Sequence, residues 1–291
     1  MKPRTLQVLA TAALVASLGW SLVGRKPSPV APRAAAAAVP TAPPAIKVRS
    51  AANLKLPGWS GPADKGLRAI LKAMEAGERI RLTKAEIDAY LARHGRDATS
   101  LLVASRLADD LALLREAVKA DPTDPLGHLE LALRSDDPAE KKAAVEAFRA
   151  RQPDNPLGNY LGAQAAFAAG DYPKAAQELL ASMDQGALQG HGLKLLDATA
   201  AAYVEAGYEP TAALVAGLSA SVGANLAQIR LGLGLSKDLR GMQDEFVKAA
   251  DFDAVEPTLR VGLDLGRRLQ DPKAMVVEQL TGLGIEAGFL R

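Results

Sequence analysis

The chain has 291 residues, only 4% of them aromatic and none of them cysteine, which excludes disulfides, zinc–thiolate sites, thiol nucleophiles and a lipid-bearing cysteine. Its charge is uneven: residues 1–49 hold seven of the 35 Lys and Arg residues and no Asp or Glu, so residues 50–291 carry 28 basic against 33 acidic residues. A body this acidic, without a basic stripe, argues against binding to nucleic acid.

The N-terminal end contains a run of 20 uncharged residues, 5–24, with basic residues on both sides. As a helix this run is about 30 Å long, enough to cross the hydrocarbon core of a bilayer. We therefore predict that residues 1–26 form a signal anchor in an inner or cytoplasmic membrane. The alternative is a signal peptide, cleaved near the small residues 34–38, and secretion of the body.

The orientation of this predicted single-pass helix is not set by its flanking charges, which nearly balance. The export-type composition and the absence of cysteine favour a body on the non-cytoplasmic, periplasmic side. Residues 27–58 include the stretch "PSPVAPRAAAAAVPTAPP" and are predicted to form an extended linker, because proline lacks an amide donor and disfavours helix in the residue before it. Residues 59–291 are predicted to form the folded domain.

Beyond residue 60, apolar residues recur at spacings of three and four, which predicts an all-α domain. The segment "LTKAEIDAYL" has a complete helix start, since Thr83 can cap the helix and Glu86 can close the capping box. Gly95 is predicted to end that helix.

Two proline-bracketed phrases, "PTDPLG" and "PDNPLG", stand 31 residues apart and predict the starts of successive helices. Asp124 and Asn155 are the capping residues in this interpretation, and the proline after each takes the first helical position, where a missing amide hydrogen costs nothing. The same device recurs at Asp137 and Asp271, each followed by proline. In "AGDYPKAA" and "AGYEPTAA" a glycine ends one helix and a proline opens its partner. The pattern predicts antiparallel helix hairpins stacked in series.

The segment "NPLGNYLGAQAAFAAGDYPKAAQELLAS" resembles a tetratricopeptide repeat. Gly170-Asp171-Tyr172 stands where that family has its turn between helices, and Ala175 stands at its small packing position. The resemblance extends over residues 97–222, although the unit from Asp124 lacks the family's early aromatic residue and the spacing drifts from 31 to 37 residues. It implies a TPR-like α-solenoid with a concave face that holds peptides or partner proteins.

The resemblance also implies a peptide-binding face on the first helix of this unit, at Tyr160, Gln164 and Phe167. The alternative is that Tyr160 and Phe167 belong to the core and that Gln164 is the exposed member. Residues 224–291 continue the helical pattern as further hairpins or a cap, and Met275, Val276 and Leu280, after Pro272, indicate a closing helix.

Catalytic motifs are missing from the sequence, which has no phosphate-binding loop, no H-E-x-x-H and no G-x-S-x-G. The run "RLGLGL" (230–235) lacks a third glycine and predicts a helix end or close helix packing, and "DFDAVE" (251–256) predicts an acidic loop between helices. His94, His128 and His191 are far apart, which favours capping or solvent exposure over metal binding. We expect no cofactor, no metal site and no enzymatic activity.

These patterns favour a membrane-tethered or exported helical-repeat scaffold that binds a protein or peptide partner. One alternative is an exported hydrolase or lyase on a helical toroid with dispersed acidic residues, which a deep pocket lined by two carboxylates would support. Another is a passive structural subunit that assembles with copies of itself.

Overall fold

The computed structural model describes residues 60–191, 193–271 and 274–290. Within these ranges the chain forms a short 3₁₀ turn and twelve α-helices and contains no strand, which confirms the prediction of an all-α fold. The helices are α1 (Leu67–Glu75), α2 (Lys84–His94), α3 (Ala98–Ala108), α4 (Leu111–Ala120), α5 (Pro125–Arg134), α6 (Pro138–Arg151), α7 (Leu157–Ala168), α8 (Tyr172–Met183), α9 (Leu196–Glu205), α10 (Pro210–Lys248), α11 (Phe252–Leu269) and α12 (Val276–Phe289). The predicted anchor, 1–26, and linker, 27–58, lie outside the described residues and stay predictions.

The predicted helix starts are present where the described residues include them. Thr83 and Glu86 form a reciprocal capping box at the start of α2. The side chain of Asp124 accepts a hydrogen bond from the amide of Leu126 (3.2 Å), and Asn155 does the same for Leu157 (3.2 Å). Each cap satisfies an amide that the first helical turn leaves without a partner. The phrases therefore precede α5 and α7; Pro125 is the first residue of α5 as predicted, whereas Pro156 lies one residue before α7.

Helix ends follow the predicted glycines. Gly95, Gly170 and Gly207 have φ angles of +83°, +74° and +88°, in the left-handed region that side chains rarely adopt. Each glycine reverses the chain directly after α2, α7 and α9 respectively. The turn chemistry read from the sequence therefore determines where these three helices stop.

From α3 to α8 each helix packs against the next one along the chain. Among these helices the contacts are most extensive within three pairs, α3 with α4, α5 with α6 and α7 with α8. Ion pairs connect the second helices of neighbouring pairs: Arg115 Nε lies 2.7 Å from Glu140 Oε1 between α4 and α6, and Arg149 Nη2 lies 2.7 Å from Glu178 Oε2 between α6 and α8. The helix pairs are thus joined in chain order by both packing and charge.

The longest helix, α10, corrects the interpretation of residues 210–248. The sequence suggested that the repeats end near residue 222 and that the glycines of "RLGLGL" mark a helix end, but α10 runs through both places for 39 residues. The other expectation for these glycines, close packing between helices, is confirmed for Gly232, where an added Cβ would lie 3.3 Å from Leu269 Cδ1 of α11. Contacts with α1, α7, α9, α11 and α12 place α10 at the centre of the domain.

Two further expectations near the C-terminus are wrong. The segment "DFDAVE" is not a loop: Asp251 caps the amide of Ala254 (3.2 Å), and α11 begins at Phe252. The Asp271-Pro272 helix start is also wrong: the closing helix predicted after Pro272 is present as α12, but it begins at Val276 with Met275 as its N-cap, and Pro272 itself lies outside the described residues. Both differences concern where a helix begins and leave its existence as expected.

Among the described residues, α10 is the one helix long and apolar enough to cross a membrane. Within its most apolar stretch, 44% of the residues are buried inside the protein. α10 also packs against five neighbouring helices.

Candidate functional sites

The predicted peptide-binding residues on α7 have three different environments. Tyr160 is 3% exposed and lies in the core, where burial raises the pKa of its hydroxyl. Phe167 is half-buried, with its ring 6.2 Å from that of Tyr172, and Gln164 is exposed. Peptide binding by this face stays a prediction, and Tyr160 could take part in it only by leaving the core.

Part of the side of the helix pairs that faces α10 is covered. α10 packs directly on α7 and α1, while a cleft of about 260 Å³ remains between α10, the helices α3 and α5 and the loop before α2. The cleft is therefore bounded both by the helix pairs and by α10.

Arginines dominate the lining of the cleft. Five line it, together with two acidic residues, the two aliphatic residues Ile80 and Leu133, and the small residues of α10. The arginines are Arg79, Arg81, Arg106, Arg134 and Arg230. With Asp109 and Glu130 as the acids, the lining has a net charge of about +3, in a body that is otherwise acidic.

Glu130 is held by two of these arginines. Arg106 Nε donates to Glu130 Oε1 at 2.5 Å, and each of these side chains is only 7% exposed. Arg134 Nη1 lies 3.3 Å from Glu130 Oε2 and also donates to Ser105 Oγ at 2.9 Å. These contacts connect α3 to α5 and fix both guanidinium groups at the wall of the cleft.

Asp109 gathers three arginines at the end of α3. Its backbone is in the left-handed region (φ 56°), which aspartate tolerates better than most side chains do. Its carboxylate accepts from Arg81 Nη2 (2.8 Å) and Arg79 Nη1 (3.4 Å), and Arg134 Nη2 lies 3.5 Å away. Asp109 therefore brings the loop before α2 to the mouth of the cleft.

Two arginines keep unused donor capacity. Arg106 Nη1 is buried and has no hydrogen-bond partner among the described residues. Arg230, on α10, is exposed and forms no ion pair with any residue that the structure describes. The cleft thus offers positive charge and hydrogen-bond donors that its own carboxylates do not neutralise.

Sequence reasoning did not identify this cleft. Its arginines come from the loop before α2 and from α3, α5 and α10, with no shared motif and no regular spacing. Arginines that are far apart in the sequence and meet only in the folded chain form no local sequence pattern that would indicate a site. The structure alone assembles the site.

A second candidate site is the outward face of α12. Val276, Leu280 and Leu283 of α12 are 64%, 60% and 51% exposed, and Ala287 is exposed too. Leu290, the residue directly after α12, is 71% exposed and extends the row. These residues follow one another at alternating spacings of four and three, the repeat of a helix that packs along a second helix. We call these five residues the α12 stripe.

The histidines form no site. His94 ends α2 with Nε2 2.7 Å from Glu205 Oε1, and His128 is buried with Nε2 2.9 Å from the carbonyl of Pro122, so solvent exposure is the wrong expectation for His128. His191 is half-buried, and burial lowers its pKa. Within the described ranges no group of three His, Asp or Glu side chains could hold a metal ion.

Comparison with known proteins adds no relative: no protein-family model, curated protein or solved structure matches this chain. The arginine-lined cleft and the α12 stripe are therefore the basis for inferring its function.

Proposed function

We propose that this chain is a helical-repeat scaffold, tethered to a membrane or exported, that binds a helix of a partner protein along the α12 stripe. The observation that carries the proposal is the exposed row of Val276, Leu280, Leu283, Ala287 and Leu290. An unbroken exposed apolar row on one helix is typical of a protein-interaction surface.

The energetics favour association along this stripe. The four large side chains are 51–71% exposed, so covering one of them contributes about 1–2 kcal/mol. Four such contributions sum to about 4–8 kcal/mol, which meets the low end of the cost of association, about 4 kcal/mol, so polar contacts beside the stripe must add to the affinity. The alternating spacing of four and three lets one partner helix cover all of them at once.

Charge selects the kind of partner. Glu278 of α12 is buried and Glu286 is paired with Arg267 (3.2 Å), so the selecting charge is that of the whole body, residues 50–291, which have 33 acidic against 28 basic residues. A second copy would therefore be repelled, whereas an amphipathic helix with Lys or Arg beside its apolar row would be attracted. We therefore assign the stripe to a basic amphipathic helix of a different protein.

The scaffold part of the proposal, a TPR-like α-solenoid, is supported by the packing from α3 to α8 and by the two ion pairs between alternate helices. In this interpretation α3 with α4, α5 with α6 and α7 with α8 are the repeated hairpins, and α10 covers their inner side. The predicted peptide-binding groove is then reduced to the arginine-lined cleft, which moves the main partner surface to α12.

The test places a photo-crosslinking amino acid at position 280 or 283 of the full chain in its native membrane or secreted fraction. We expect a crosslink to a helix with apolar residues at spacings of three and four and with flanking Lys or Arg. Position 180 is the matched control, because Leu180 of α8 is 47% exposed but lies outside the stripe. No crosslink beyond that of the control would overturn the proposal.

Two other outcomes would replace this proposal with one of the alternative functions. A crosslink from position 280 to position 280 or 283 of another copy would indicate self-assembly. Turnover of a substrate that depends on Asp109 and Glu130 would support the hydrolase or lyase alternative. We favour a non-enzymatic role without a cofactor, because both carboxylates of the cleft are engaged by arginines and are poorly placed for proton transfer.

A further inference from the structure

The arginine-lined cleft carries more positive charge than the fold requires. Asp109 and Glu130 can balance two of its five arginines, and about three positive charges remain. Clustered like charges repel one another and destabilise a fold unless an anion balances them. The surplus therefore points to a ligand with more than one negative charge.

The donors that such a ligand would use are already in place. Arg106 is 7% exposed and is held by Glu130, yet its Nη1 has no partner among the described residues. Arg230 reaches the cleft from α10 without an ion pair to any described residue. A buried guanidinium nitrogen without a partner loses the hydrogen bond that water would give it, and an oxyanion would restore that bond.

The remaining wall determines what else the ligand must have. Ala220, Gly223 and Ala227 of α10, with Ile80 opposite, give the cleft an apolar side with small side chains. A volume of about 260 Å³ suits a small organic molecule and is too small for a folded partner. All the cationic residues are arginines, whose planar guanidinium group matches carboxylate or phosphate oxygens in pairs.

We propose that the cleft binds a small organic dianion, either a phosphate monoester or a dicarboxylate. Its oxygens contact Arg106, Arg134 and Arg230, and its apolar body lies against α10. Since the ligand contacts α3, α5 and α10 together, it also stabilises the attachment of α10 to the helix pairs. This site is separate from the α12 stripe, so either proposal can fail without the other.

The test is calorimetric titration of the full chain with phenyl phosphate, phthalate and benzoate. All three carry the same ring, but the first two are dianions near neutral pH and benzoate is a monoanion. We expect at least one dianion to bind saturably at millimolar concentrations or below, and benzoate to bind about tenfold more weakly. The stronger of the two dianions identifies the phosphate or the carboxylate form of the ligand.

Two variants place the binding in the cleft. Arg230→Gln removes an arginine that no described residue needs, and we expect about tenfold weaker dianion binding, as for one charged hydrogen bond. Arg240→Gln is its control, because Arg240 is an exposed arginine of the same helix outside the cleft. Gly223→Leu should abolish binding by filling the cleft, and Gly234→Leu is its control, since an added Cβ meets nothing within 4 Å at either glycine.

The proposal is overturned if neither dianion binds, if benzoate binds as well as both dianions, or if Arg230→Gln and Arg240→Gln bind the dianion equally. Binding that survives Gly223→Leu would place the anion elsewhere and would overturn it too. Circular dichroism of each variant establishes that a loss of binding is not a loss of fold.

Discussion

Arg106 of α3 and Glu130 of α5 form an ion pair in which each side chain is only 7% exposed. Because both charges have left water, the pair is a different kind of contact from the exposed ion pairs of this protein, such as Lys84 with Asp88. It connects two helices that are not consecutive, and both of its residues line the arginine-lined cleft. Its energetics therefore bear on both the fold and the site.

Breaking this buried pair should be costly. Glu130→Gln leaves the Arg106 charge without its counter-ion, and we expect a loss of about 3 kcal/mol in the free energy of unfolding. The double variant Arg106→Met with Glu130→Leu removes both charges and should cost clearly less. Asp88→Asn, at the exposed pair, should change stability by about 0.5 kcal/mol or less. Urea unfolding of the full chain measures all three, and a cost for Glu130→Gln near that of Asp88→Asn would contradict the buried-pair argument.

The contact between α11 and α12 should depend on a glycine. A Cβ added to Gly282 would overlap the carbonyl oxygen of Gly266, which is backbone and cannot move aside easily. Gly282→Ala should therefore lower the free energy of unfolding by about 1–3 kcal/mol. Gly284→Ala is the control on the same helix: its Cβ meets nothing within 4 Å, so the change should be neutral or stabilise by up to about 1 kcal/mol. Equal effects of the two variants in thermal unfolding would show that the helices are not in close contact at Gly282.

The carboxylate of Glu140 should make stability depend on pH in the acid range. Hydrogen bonds from Arg115 and then Ser135 lower its pKa from 4.5 to about 2. A lowered pKa in the folded state means that the stabilisation is complete above about pH 4.5 and is lost as the pH falls toward 2. The difference in unfolding free energy between the wild type and Glu140→Gln should shrink over that interval. If the difference in unfolding free energy stayed constant between pH 4.5 and pH 2, the lowered pKa of Glu140 would be refuted.

The capping aspartates of the Asp-Pro helix starts should contribute measurably to the free energy of unfolding. Asp137 accepts a hydrogen bond from the amide of Ala139 (2.9 Å) at the start of α6. Asp137→Ala should cost about 1 kcal/mol, and Asp137→Asn, which keeps an accepting oxygen, should cost much less. Asp136→Ala removes the neighbouring exposed carboxylate and should change stability little. If chemical denaturation gave Asp136→Ala and Asp137→Ala the same cost, capping would not be the reason for this sequence pattern.

Helix boundaries could be read from the sequence because they depend on local backbone chemistry. Thr83 and Asp124 bond to amides within three residues of themselves, and Gly95 and Gly170 adopt positive φ at the turns. The predicted boundaries were wrong where the local sequence signal was ambiguous. "DFDAVE" reads as a loop by its acidic residues, yet Asp251 makes it the first turn of α11.

An all-α chain divided by caps and glycines follows from local sequence signals, since those signals act over one helical turn. The continuation of α10 through Gly232 and Gly234 depends instead on packing between helices. A helical glycine costs about 1 kcal/mol, which is less than what burial of Ile229, Leu231 and Leu235 contributes at about 1.5–3 kcal/mol each. The cleft has the same origin: its arginines come from separate segments, and only the packing of α10 across the helix pairs brings their charges together.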